Sequence, residues 1–352
     1  MPASSESVSG DGAPRERVLI CAVNWIGDSV MAMPAVQQFR EAHPSAQIIV
    51  LVKPALRPLW QLHAAPDGIV SIAGGIGGTL RTAARVRAAR ADIAYILPHS
   101  FRSALIPWLA RVPERRGLPG HARDWMLTRV ARPREAPGRT HQAFEYLDLL
   151  MPERMDRDLP PPVLRVPEEA RRVALERLSS VASPRVALLP GAARGPSKQW
   201  PPEHFVALGR LLTSRLRAGV VVLGSPAEID LCGRVSAQIG AATLNLAGRT
   251  SLPDLIALLR ACDLVVANDS GGLHLSAAVG TPLVALYGIT DPGKTGPLGA
   301  TCRVLQQSSV RRRDVPRDSE EARRSLAAIR PEQALEAAVA LLGERTAREE
   351  PA

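Results

Sequence analysis

Short apolar, β-branched runs alternate with amphipathic stretches along this chain. Arg17–Val23 (RVLICAV) reads as a buried strand, and the positions after it carry an apolar stripe at helical spacing, Val30, Met33, Val36 and Phe39. Gln47–Val52, Ile69–Ile72 and Asp92–Leu97 predict three more strands, with an Arg/Ala helix over Thr79–Arg90. A Pro-rich segment, Leu159–Pro162, and a helix over Pro167–Ser180 then interrupt the alternation. It restarts with strands at Arg185–Leu189, Gly219–Leu223, Thr243–Leu246, Asp263–Ala267 and Leu283–Tyr287. Helices are expected over Glu203–Leu216, Pro226–Ile239, Leu252–Ala261, a short stretch beginning near His274, and Pro331–Leu342. Strands that alternate with helices imply parallel, doubly wound sheets, and 352 residues suffice for two such domains.

Composition adds little to the fold and more to the partners. The chain is 46% hydrophobic but only 3% aromatic, and its net charge of +10 comes mostly from arginine. Nine arginines fall between Arg102 and Arg139, which predicts a solvated basic face or an anionic partner. Nucleic acid, an anionic membrane and an acidic substrate all fit that charge. Nucleic acid is disfavoured because the basic residues are not interleaved with aromatics and no nucleic-acid-binding signature occurs. Cys21, Cys232, Cys262 and Cys302 are widely separated and form no CxxC pair, so buried free thiols in a reducing compartment are expected. No run of 18 apolar residues occurs, and residues 1–15 read as a disordered extension without a signal-peptide core. Ser308–Ser325 is charged and reads as a poorly ordered excursion.

Candidate chemistry gathers at strand ends. A literal Walker A match, Gly288–Thr295, follows a strand, but Gly296-Pro297-Leu298-Gly299 would break the helix that a P-loop must enter. There is no GxGxxG, no GxSxG elbow and no zinc ligand cluster. Asp28, in the turn eased by Gly27, is either a helix N-cap or a carboxylate placed to take a proton from an attacking hydroxyl. Lys198, in a Gly/Pro-rich loop, is either a surface lysine or a cation facing a diphosphate. His274 is either a satisfied core histidine or a pocket residue. Asn268-Asp269-Ser270-Gly271 forms a polar turn into a helix, and the unpaired N–H groups of that helix suit an anion.

Taken together, these stretches resemble the heptosyltransferases of lipopolysaccharide core synthesis, glycosyltransferase family 9. The likeness lies in Asn24-Trp25-Ile26-Gly27-Asp28, in Leu97–Leu105 with its His99-Ser100-Phe101-Arg102 core, in the loop Pro190–Pro201, and in Asn268–His274. Asn245–Gly248 and Leu286–Gly288 add to it, so that it spans Arg17 to Leu342.

The resemblance implies a GT-B fold, two Rossmann-like doubly wound parallel-sheet domains facing one another across a cleft. Residues 16–165 would form the acceptor domain, 166–184 the connection and 185–345 the donor domain. An inverting, metal-independent transfer from ADP-heptose to a heptosyl-Kdo2-lipid A acceptor is implied, with no cofactor. The alternative is another acceptor or ADP-sugar within the family; a nucleic-acid-binding module is the alternative outside it. Asp28 would be the catalytic base, and Lys198 would stabilise the leaving diphosphate. Gly191, Arg194, Ser197, Gly224, Glu228, Thr250, Asn268, Asp269, Ser270, Gly271 and His274 would line the donor site. Asn24, Gly27, Arg57, Ser100 and Arg102 would meet the anionic glycolipid acceptor. Gly272 departs from the larger apolar residue that relatives often carry there, which predicts a looser pocket wall. The implied location is cytoplasmic, peripheral at the inner membrane.

Overall fold

A computed structural model describes residues 16–120, 122–134, 140–155, 158–241 and 243–349. The expectations for residues 1–15 and for Arg139 lie outside the described residues. The first sheet is built from β1 (Arg17–Cys21), β2 (Gln47–Val52), β3 (Gly68–Ser71), β4 (Ile93–Ile96), β5 (Glu114–Gly117) and β6 (Arg129–Val130). The second is built from β7 (Arg185–Leu189), β8 (Gly219–Val222), β9 (Thr243–Asn245), β10 (Leu264–Asn268), β11 (Leu283–Leu286) and β12 (Cys302–Leu305). Both sheets are parallel throughout, in the orders β3-β2-β1-β4-β5-β6 and β12-β11-β10-β7-β8-β9. Each order reverses direction beside its first strand, between β1 and β4 and between β7 and β10. Crevices at the carboxyl ends of strands open at such switch points.

The helices of the first half are α1 (Ile26–Ala42), α2 (Arg57–Gln61), α3 (Gly75–Ala88), α4 (Phe101–Leu109), α5 (Ala143–Leu150) and α6 (Glu168–Arg177). The second half adds α7 (Pro202–Leu216), α8 (Ile229–Ile239), α9 (Leu252–Ala261), α10 (Gly271–Ala278), α11 (Pro292–Thr295), α12 (Glu320–Ala327) and α13 (Pro331–Glu349). Strand residues such as Leu19, Ile20, Val50, Val186, Val221 and Val265 are buried, as expected for strands covered by helices on both faces. One hydrophobic cluster runs from β1 and α1 into α9 and α10, so the two halves share a core where α1 meets α10 and α6 meets α9.

Three expectations need correction. The helix expected from Thr79 starts four residues earlier, through Gly75-Ile76-Gly77-Gly78, whose low helix propensity hid it. The arginine-rich stretch is not merely a solvated face. It contains β5 and β6, and Arg123 is fully buried, donating to the carbonyls of Pro98 and Leu118 and, at 3.1 Å, to Ser103 Oγ. The excursion Ser308–Ser325 is held at two points: Arg312 bridges to Thr290, and α12 begins at Glu320 with a Ser319 cap.

The P-loop look-alike forms only the single turn of α11, capped by Asp291 and ended at Gly296. All four cysteines are free, and burial pushes the thiols of Cys21, Cys232, Cys262 and Cys302 up to about 12. They are structural hydrophobes rather than nucleophiles.

Candidate active site

The loops leaving β1, β4, β7 and β10 converge on one cleft cavity of about 430 Å³. From the first half it is lined by Asn24, Gly27, Asp28, His99, Ser100 and Tyr146, among others. From the second half it is lined by Arg194, Lys198, Asp269, Ser270, Gly271 and His274. Ten residues singled out in the sequence are thus brought to one place across two sheets.

Asp28 is the third residue of α1, not its cap. Trp25 takes the cap position with extended backbone and no side-chain hydrogen bond. The Asp28 carboxylate therefore sits in the positive first turn of the helix and has no hydrogen-bond partner among the described residues. Burial pushes its pKa up, opposed by the charges of Arg194, Lys198 and Arg313, while Asp314 adds to the rise.

Gly27 also has a different reason from the one expected. Its φ is not positive, so no turn requires glycine. A Cβ there would stand 2.8 Å from His274 Cδ2, on the opposite half of the molecule. Gly271 faces back the same way, its added Cβ 2.9 Å from Ile26 Cβ. These two glycines let α1 and α10 approach closely. Gly272 does not loosen the wall, because Leu189 occupies the space where its Cβ would go.

On the second half, Asn268 ends β10 fully buried. Its Oδ1 accepts from Trp200 N at 2.9 Å, and its Nδ2 donates to Pro190 O at 2.8 Å. Asn268 thereby rivets the loop that carries Lys198 to the strand that carries Asp269. Trp200, fully buried, anchors the same loop by donating its indole N–H to Ile329 O. Lys198 Nζ lies 2.5 Å from Asp269 Oδ2, with both side chains almost covered. The first turn of α10 has no side-chain cap, so its backbone N–H groups are available beside this pair.

His274 is buried and its pKa is lowered to about 4, first by burial, so it is neutral at physiological pH. Its Nδ1 has no partner among the described residues. Arg194 stacks over Trp25, 5.8 Å from the ring centroid, and pairs with Asp314 at 3.2 Å.

Several predicted residues lie elsewhere. Ser197 is buried and spends its hydroxyl on the carbonyls of Pro316 and Arg317, accepting in turn from Ser319 N at 3.0 Å. Glu228 Oε2 accepts from Ser225 N at 2.7 Å and Ser225 Oγ at 2.8 Å, directly behind Gly191, where a Cβ would collide with it. Gly224 and Thr250 are outside the cavity lining, as are Gly191, Ser197, Glu228 and Asn268. Arg57 donates to Ile69 O at 3.0 Å and steadies β3. Arg102 lines a neighbouring cavity of about 440 Å³ with Lys53, Asn24 and Ser100.

Sequence reasoning missed Tyr146, Gln142, Arg313 and Asp314 in the cleft. Tyr146 OH accepts from Gln142 Nε2 at 2.7 Å on α5, a helix whose apolar pattern gave no sign of a site. Arg313 and Asp314 belong to the segment expected to be disordered. Among the described residues no group of three His, Cys, Asp or Glu side chains is arranged to hold a metal ion.

Two Rossmann-ordered parallel sheets that meet across a cleft define the GT-B class of glycosyltransferase. The family profile of glycosyltransferase family 9 (heptosyltransferase) matches residues 79–322, and the chain belongs to that family. It is 32% identical to lipopolysaccharide heptosyltransferase 2 of Escherichia coli K12, over 93% of this chain and 98% of that protein. The solved E. coli ADP-heptose lps heptosyltransferase II superposes with a TM-score of 0.79 at 29% identity, covering 94% of this chain and 99% of that one. A family 9 glycosyltransferase from Veillonella parvula shares the fold, with a TM-score of 0.82 at 24% identity over 94% and 97% of the two chains.

Proposed function

We propose that the protein transfers L-glycero-D-manno-heptose from ADP-heptose to a heptosyl-Kdo2-lipid A inner core, with inversion at the anomeric carbon. Its similarity to lipopolysaccharide heptosyltransferase 2 over nearly the whole length supports the substrates. The observation that carries the mechanism is the opposition, within one cavity, of unpartnered Asp28 to Lys198, Arg194 and the open start of α10.

In this reading residues 16–165 take the acceptor, residues 185–345 take the donor, and 166–184 connect them. The acceptor hydroxyl attacks the anomeric carbon while its proton passes to the Asp28 carboxylate. The bond from that carbon to the diphosphate oxygen breaks, and its electron pair leaves on ADP. Lys198, Arg194 and the N–H groups of Ser270 and Gly271 receive the developing charge, so fixed side-chain charge and helix dipole serve in place of a metal. Asp269 positions Lys198. Gly191, Gly224, Glu228 and Thr250, outside the cavity lining, stand on the side assigned to the nucleoside, while Ser197 and Asn268 act indirectly by fixing the loop. Asn24, Ser100 and Arg102 meet the acceptor's anionic sugars, and Arg57 supports that wall through β3. The enzyme works at the cytoplasmic face of the inner membrane as a peripheral protein; no helix among the described residues is long and apolar enough to cross a membrane.

The test is transfer from ADP-heptose to heptosyl-Kdo2-lipid A by the parent, Asp28→Ala and Lys198→Ala. Removing the base lowers turnover by roughly 10²–10⁴ while ADP still binds. A parent that binds ADP but transfers only to the unheptosylated core would have the other acceptor specificity. A parent that ignores ADP-sugars overturns the reading.

A further inference from the structure

The first half carries an aromatic ridge that the cleft chemistry does not use. Phe101 and Trp108 on α4 and Trp125 in the following turn are all exposed, Trp125 by 61%. Their rings touch one another: Trp108 and Trp125 meet edge-on at 5.3 Å, and Phe101 lies 6.5 Å from Trp125. On the neighbouring helix α3, which packs beside α4 on the same face of the sheet, Ile76 and Leu80 are one turn apart and exposed by 86% and 56%. Large apolar side chains gathered in this way mark an interaction surface rather than ordinary scatter.

The surrounding charge identifies the partner. Arg81 and Arg85 on α3, Arg102 on α4, Arg111 just after α4 and Arg129 on β6 are exposed, and none pairs with a carboxylate among the described residues. Exposed tryptophan and phenylalanine together with unpaired arginines match the boundary between anionic headgroups and acyl chains, where aromatic rings sit at headgroup depth and basic side chains meet lipid phosphates. The ridge also leads to the cleft. Arg102 and Gly74, at the starts of α4 and α3, line the cavity of about 440 Å³ that shares Asn24 and Ser100 with the main cavity.

We infer that Phe101, Trp108, Trp125, Ile76 and Leu80, together with these arginines, form the surface that docks on an anionic phospholipid bilayer and presents the cleft's acceptor side to it. This deepens the proposed function, resting on its lipid-linked acceptor, but its primary test needs no transfer. Vesicles of equal parts phosphatidylglycerol and phosphatidylcholine are sedimented with the protein, beside vesicles of phosphatidylcholine alone. Binding occurs to the anionic vesicles and weakens with salt. Trp108→Ser with Trp125→Ser lowers the partition coefficient about tenfold or more, as does Arg81→Glu with Arg85→Glu. Unchanged thermal melts show that both variants are folded.

Binding that ignores these substitutions, or no binding to anionic vesicles, overturns the inference. So does a parent dimer in solution that the tryptophan variant converts to monomer, since the ridge then belongs to a second copy. With transfer established, the variants raise KM for vesicle-embedded acceptor and leave a deacylated, water-soluble acceptor unaffected. Vesicle docking without any transfer would fault the proposed reaction and leave the surface standing.

Discussion

A Cβ on Gly27 would come within 2.8 Å of the His274 ring, so the start of α1 and the body of α10 approach each other at a distance only glycine permits. Gly27→Ala must push the imidazole or part the two halves. The cost is roughly 1–3 kcal/mol of stability, as for other overpacked sites. Turnover falls as well, because Asp28 is the next residue. Thermal melts and initial rates of Gly27→Ala, His274→Ala and the double variant check this: the double variant is less destabilised than the sum, since removing the ring makes room. Gly343, exposed on α13 with nothing near its Cβ position, is the control, and Gly343→Ala holds or raises the melting temperature.

His274 also sets an acid limit. Its folded pKa of about 4 lies below the ordinary 6.5, so between those values the unfolded chain binds a proton that the folded one refuses. The stabilisation is complete above pH 6.5 and is lost as pH falls toward 4, on the order of 3 kcal/mol in all. His63, buried and likewise lowered to about 4, adds a second contribution of the same sign. Denaturant midpoints measured from pH 7.5 to pH 4.5 therefore fall steeply in the parent. They fall less steeply in His274→Gln, and an unchanged slope would exclude His274 as a source.

Much of this architecture is visible in the chain, and the exceptions share a cause. The strands at Arg17, Gln47, Arg185, Asp263 and Leu283 are apolar runs buried on both faces, so local composition alone reveals them. Strand β5, Glu114–Gly117, has no such signature, because Arg115 and Arg116 satisfy themselves on the carbonyl of Met126 and on Glu114. Asp28, Lys198 and Asp269 stand at the carboxyl ends of strands, where the switch-point rule places ligands, and all three line the cavity. Tyr146 and Arg313 reach it from a helix and a tail whose positions depend on packing between distant segments. Ser197 and Asn268 have the polar character of ligand contacts, yet the fold uses that polarity internally.

Lys198 and Asp269 form a pair whose members are unequal in function. Either single alanine variant leaves a nearly buried charge without its partner, and each loses roughly 3 kcal/mol of stability. The double alanine variant recovers much of that loss. ADP affinity does not recover with it if Lys198 is the proposed diphosphate cation, because that cation is gone in both Lys198→Ala and the double variant. Calorimetric titration of ADP beside thermal melts separates the two effects; recovery of both together would make the lysine purely structural.

Arg313 acts from the tail on Asp28, the proposed base. Its guanidinium reaches the cleft and lies 3.6 Å from Glu145, while Arg312 beside it pairs with Glu321 at 3.0 Å. Burial raises the pKa of Asp28, and the charges of Arg194, Lys198 and Arg313 oppose that rise. Arg313→Ala removes one of the opposing charges, so Asp28 holds its proton to a higher pH and the acidic limb of the kcat/KM profile moves upward. Arg312→Ala, which alters the same segment without touching the cleft, leaves the limb in place. In the proposed mechanism a protonated Asp28 cannot act as base, so the Arg313→Ala defect is largest at low pH and shrinks as pH rises. A defect equal at every pH would instead mean that Arg313 only holds the tail in place through Glu145.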